Sequence, residues 1–193
     1  MSPARPQVAD DEPNDRYGYS CYVLLIPAPA EIIDAQQAIW RRYPSPRTAI
    51  PAHITVKGTF VQITDFDELL ERVQEVMTGV QQFWISFENA EVEWREKAGV
   101  LVAPVFQEIQ NLHDRLVQEI SPISKLRYPD DPYQVHMSLT SNYDPEELLE
   151  VESAFDEFDP GSGFQATAVE LWARVGPSVG GKWGFMKRYP LLT

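Results

Sequence analysis

Two short segments of the 193-residue chain, His53-Ile54-Thr55-Val56 and His136-Met137-Ser138-Leu139, run histidine, apolar residue, hydroxyl, apolar residue. On a strand, side chains two apart share a face. His53 and Thr55 would then project together over an inward Ile54 and Val56, and His136 and Ser138 would do the same over Met137 and Leu139. Two imidazoles beside two hydroxyls suit in-line displacement at a phosphodiester. One imidazole takes a proton from the attacking oxygen, and the other gives one to the leaving oxygen on the far side of phosphorus. Hydroxyls of Thr55 and Ser138 can donate to the non-bridging oxygens, whose charge must be held throughout. The scheme requires no metal. The near-symmetry of the tetrads leaves open which histidine is base and which is acid.

The other reactive-looking residues read more plainly. His113, in QNLHDRLVQ, has neither a hydroxyl two residues on nor a counterpart, and reads as a surface or packing histidine. The three histidines lie on separate elements without short ligand spacing, so no metal site is expected. The single cysteine, Cys21, lies in the apolar run CYVLLI as a small core residue; it can form no internal disulfide, which fits a reducing cytosol. Gly176-Pro177-Ser178-Val179-Gly180 spells G-x-S-x-G, but that motif needs a helix after it and a later histidine. GKWGFMKRY reads as a strand and no histidine follows His136, so GPSVGG reads as a flexible loop.

The elements that must hold the tetrads recur in order. YGYSCYVLLI reads as a buried strand, AEIIDAQQAIWRRY as a helix stopped by prolines 44, 46 and 51, and HITVKGTFV as a strand. Asp65 or Asp67 is positioned to cap a helix over DELLERVQEVM, and FWISFENAEVEW and GVLVAPV read as strands. The second half repeats the pattern with GVLVAPV, a helix over QEIQNLHDRLVQEI, a loop around Pro122 and Pro129, and the strand YQVHMSLT. A helix over DPEELLEVESAF and a closing strand pair, GFQATAVELWARV with KWGFMKRYPLL, complete it. An offset of about eighty residues exceeds solenoid periods and reads as one internal duplication. Two similar lobes, intimately packed over residues 17–193, would leave a cleft suited to a small ligand. Residues 1–16, with three prolines, four acids and almost no large apolar side chain, read as a loose tail.

The formal charge is −13, from 16 Lys and Arg against 29 Asp and Glu. That opposes a long polyanion such as duplex DNA, or a phosphate-rich membrane surface. It is an average, however. Residues 35–64 carry Arg41, Arg42, Arg47 and Lys57 without an acid, and residues 171–193 carry Arg174, Lys182, Lys187 and Arg188 without one. With +4 in each segment, the other 140 residues hold −13 − 8 = −21. A positive field around the first tetrad suits a small anion. Alternation puts Lys57 on the face of His53 and Thr55, and Tyr133 and Trp183 are candidates to stack on a base. No signal core and no run of about 18 apolar residues is found, so a soluble, cytoplasmic protein is expected; a monomer is the separate expectation for its assembly.

The paired H-x-[ST]-x tetrads in a duplicated chain resemble the 2H phosphoesterase superfamily, which includes LigT-like 2',5' RNA ligases and cyclic phosphodiesterases. The resemblance runs from about Tyr17 to the ending KWGFMKRYPL. It implies a bilobal α+β fold of duplicated β-α-β units, with two antiparallel sheets and the motifs facing each other across a central groove. It also implies catalysis by His53 and His136 without metal or cofactor, with Thr55 and Ser138 holding the phosphate; Ser at 138 is a departure the pattern allows. The expected activity is hydrolysis of a cyclic phosphodiester, a 2',3'-cyclic phosphate on a nucleotide or RNA end. Joining of RNA ends through a 2',5' bond, or nucleotide binding without turnover, are the alternatives.

Overall fold

The computed structural model describes residues 18–44, 50–62, 64–88, 90–95, 98–102, 106–126, 133–139, 145–155, 158–176 and 181–193. The stretch read as a tail, and Pro177 to Gly180 of the glycine-rich loop, lie outside them. In chain order the elements are β1 (Cys21–Pro27), α1 (Ala30–Arg42), β2 (His53–Gln62), α2 (Phe66–Met77), β3 (Phe83–Ser86), β4 (Glu91–Arg95) and β5 (Ala98–Val102). There follow α3 (Gln107–Ile120), a single 3-10 turn (Ser121–Ile123), β6 (Ser124–Leu126), β7 (His136–Ser138), α4 (Pro145–Phe155), β8 (Gly163–Ala166), β9 (Ala168–Val175) and β10 (Lys182–Pro190). This is a mixed α+β fold with two antiparallel sheets. Eight strands form the larger in the order β10-β9-β1-β2-β7-β5-β4, with β6 also paired to β2, and β3 and β8 form the smaller.

β1 is apolar on both faces and buried along most of its length, and it lies between β2 and β9 near the middle of the sheet. Its Tyr22, Leu24 and Ile26 face a core supplied by helices. α2 contributes Leu69, Val73, Val76 and Met77, and α3 contributes Ile109, Leu112, Leu116 and Ile120. That spacing of three and four residues gives one apolar stripe per helix, and each fully buried Leu or Ile contributes about 1.5–3 kcal/mol. Val23 and Leu25 point the other way, into a smaller cluster with Ile50, Trp172 and Trp183. One face of the sheet is therefore the helix-covered core, and the other carries the tetrads.

Two local expectations change. Asp65 occupies the cap position of α2 in extended backbone, but no side-chain capping bond is made there. GFQATAVELWARV is not one strand. The chain leaves the smaller sheet at Thr167, so that β8 pairs with β3 while β9 pairs with β1 and β10. Gly163 begins β8 at φ 137°, where an added Cβ would fall 2.0 Å from the Ile85 carbonyl oxygen.

Candidate active site

β2 and β7 are direct neighbours, antiparallel, with Ile54 opposite Met137. The tetrads thus lie side by side in one sheet rather than on two sheets across a groove. The antiparallel register sets His53 across from Ser138 and Thr55 across from His136. Directly opposed Cβ atoms lie about 4.5–5.5 Å apart and diagonal ones roughly 7–8 Å. The four polar side chains form a compact quadrilateral, with the imidazoles at one pair of diagonal corners and the hydroxyls at the other. Ile54 and Met137 anchor its underside in the core at 0% exposure.

Both imidazoles are oriented in the same way. His53 Nδ1 lies 2.7 Å from the Pro51 carbonyl oxygen, and His136 Nδ1 lies 2.8 Å from that of Gln134. A carbonyl only accepts, so each Nδ1 carries the donated hydrogen and Nε2 is the ring nitrogen that can exchange a proton with substrate. Burial pushes the His53 pKa down from 6.5 to about 4, partly opposed by the Pro51 carbonyl and reinforced by His136. His53 is therefore a neutral imidazole at pH 7, with a lone pair on Nε2.

Lys57 does not share this face. Thr55 is opposite Leu25 but Lys57 is opposite Leu24, so β2 holds an extra residue here and alternation breaks. The bulge turns Lys57 to the side of Leu24, in the core, where it is 1% exposed with Nζ 5.7 Å from the Phe60 ring centroid. Tyr133 is also placed differently from expectation. Its ring stacks on His113 at 3.8 Å and an interplanar angle of 2°, and its hydroxyl donates to the Thr55 carbonyl at 2.8 Å. His113 is buried, with Nδ1 donating to the Val56 carbonyl at 2.7 Å, so of its two readings it is the packing histidine. Trp183 stands on the tetrad face but three strands from His53, beneath the Arg174 guanidinium.

A cavity of about 470 Å³ opens beside His53, walled by Pro27, Ile33, Ile50, Pro51, Trp172 and Phe164, with Glu170 and Arg188 at its polar end. Glu170 is 7% exposed. It accepts from Trp172 Nε1 at 2.9 Å and from Arg188 Nη1 at 3.2 Å, which fixes the indole as a flat wall. Sequence reasoning passed over Glu170 and Trp172, although alternation along β9 puts both on one face. Among the described residues, no three His, Cys, Asp or Glu are grouped to hold a metal, and no helix is long and apolar enough to cross a membrane.

The sequence pattern of the 2'-5' RNA ligase superfamily matches residues 28–177. Among solved structures, Escherichia coli LigT complexed with 3'-AMP superposes with a TM-score of 0.56 at 14% identity, over 89% of this chain and 97% of LigT. TT0787 of Thermus thermophilus gives 0.57 at 14%, over 89% and 97%. A structure described only as a phosphoesterase gives 0.56 at 15%, over 90% and 99%. No curated protein matches the chain. At these identities the structural likeness speaks for the fold, and the sequence pattern for the family.

Proposed function

The chain belongs to the 2'-5' RNA ligase superfamily, whose pattern spans both tetrads, and on that premise we propose that it is a metal-independent phosphoesterase hydrolysing a 2',3'-cyclic phosphate on a nucleotide or RNA end. The observation that carries this reading is the quadrilateral on β2 and β7, with both Nδ1 atoms tied to the carbonyl two residues upstream, an anchor that assigns proton exchange to Nε2 in each ring.

His53, kept neutral by burial, is the general base, and His136 is the acid. Water attacks phosphorus and passes its proton to His53 Nε2. The bond from phosphorus to one ribose oxygen breaks in line, and protonated His136 gives its proton to that oxygen, yielding a phosphomonoester and a free hydroxyl. Thr55 and Ser138 donate to the non-bridging oxygens. The cavity beside His53 takes the organic arm of the substrate, a base lying against Trp172. The structure of LigT holding 3'-AMP supports a nucleotide of this size.

The test is product analysis. EDTA-treated protein incubated with 2',3'-cyclic nucleotides and cyclic-phosphate oligonucleotides should release phosphomonoesters. Joined 2',5'-linked products without hydrolysis would favour the ligase, and tight nucleotide binding without turnover would favour a binding module.

A further inference from the structure

The two halves brace each other's tetrads. Gln36 is the seventh residue of α1, and His113 is the seventh residue of α3, the equivalent helix of the second half. Both are buried polar side chains, 0% and 6% exposed, and neither has a part in the proton transfers. Gln36 Nε2 donates to the carbonyls of Ser138 at 3.0 Å and Leu139 at 2.8 Å, the third and fourth residues of the second tetrad. His113 Nδ1 donates to the carbonyl of Val56, the fourth residue of the first tetrad, and Tyr133, stacked on that imidazole, donates to Thr55, the third.

The bulge explains how Thr55 and Val56 are reached together. In a regular strand successive carbonyls point to opposite edges. An extra residue opposite Leu24 turns both of these away from β1, towards the side from which Tyr133 and His113 approach. Among the described residues, no strand pairs with that edge of β2 between Thr55 and Phe60. The side chains occupy the place of a ladder. A buried carbonyl left without a donor is costly, which holds the backbone to one position.

We infer that Gln36 and His113, the latter with Tyr133, are reciprocal positioning residues, each fixing the hydroxyl-bearing residue of the other half's tetrad. Each hydroxyl is thereby held to one backbone geometry, and the separation of the halves is set where a single phosphate must fit between them. This rests on the reading of the tetrads as a phosphate site.

The test uses Gln36→Met, His113→Phe and Tyr133→Phe, each of which removes donors while keeping bulk or stacking. Affinity for inorganic phosphate is followed by NMR of the His53 and His136 ring protons, and kcat is measured with a 2',3'-cyclic nucleotide. Each variant should bind phosphate about tenfold more weakly, the worth of roughly one lost hydrogen bond. The kcat should fall by up to about 10²-fold, with KM for the organic arm little changed. His113→Gln, which restores a donor, should recover part of the loss. Wild-type phosphate affinity and kcat in folded Gln36→Met and His113→Phe would overturn the inference. If either fails to fold, Tyr133→Phe decides on the same readouts. Weakened phosphate binding in a protein that turns over no cyclic phosphate would refute the proposed reaction and leave the bracing standing.

Discussion

His53 and His136 have the same Nδ1 anchor but not the same surroundings, and burial sets His53 apart. With a His53 pKa of about 4, the acidic limb of a kcat/KM profile should lie near pH 4. An acidic limb near pH 6.5 that persists in His136→Ala would place the base elsewhere. Thr55→Val keeps the shape and strand preference but removes the hydroxyl, and should lower kcat by about 10²-fold with the fold intact. The tetrads were legible because a period of two is a local rule needing only four residues. Lys57 was misplaced because one extra residue in β2 cancels that rule beyond Thr55. The roles of Tyr133 and His113 depend on carbonyls 78 and 57 residues away, which no local pattern encodes.

At the scale of elements, helix stripes and strand alternation located α1 to α3 and β2 closely, because each has one face against the core. The closing pair of β9 with β10 was legible, and the other strand pairings were not. The break at Thr167 sends β8 and β9 to different sheets, and nothing in the alternation of GFQATAVELWARV marks it. Gly163 allows the close approach of β8 to β3 on one side of that break. With φ at 137° and Ile85 backbone 2.0 Å from where a Cβ would sit, Gly163→Ala should lower the melting temperature well beyond the effect of Gly→Ala at Gly184, which has open space. Equal melting temperatures for the two variants would show that the contact between β3 and β8 yields easily.

For the molecule as a whole, a charge of −13 and a site built for one phosphate predict weak coupling to salt. A single-stranded ligand loses affinity with a log–log slope of about −0.7 per phosphate neutralised. The KM of a cyclic mononucleotide should therefore change with a slope near that of one contact. A cyclic-phosphate decamer should not be steeper. A slope several times larger for the decamer would mean that the chain is tracked beyond its end, contrary to the acidic remainder of the surface.

In the proposed reaction His53 and His136, one from each half, share the two proton transfers. Single-turnover rates of 2',3'-cyclic phosphate cleavage, measured in EDTA for wild type, His53→Ala and His136→Ala at matched saturation, test it most directly. Each substitution alone should lower the rate by about 10²–10⁴-fold while nucleotide binding persists. A wild-type rate in either variant would contradict the proposed reaction.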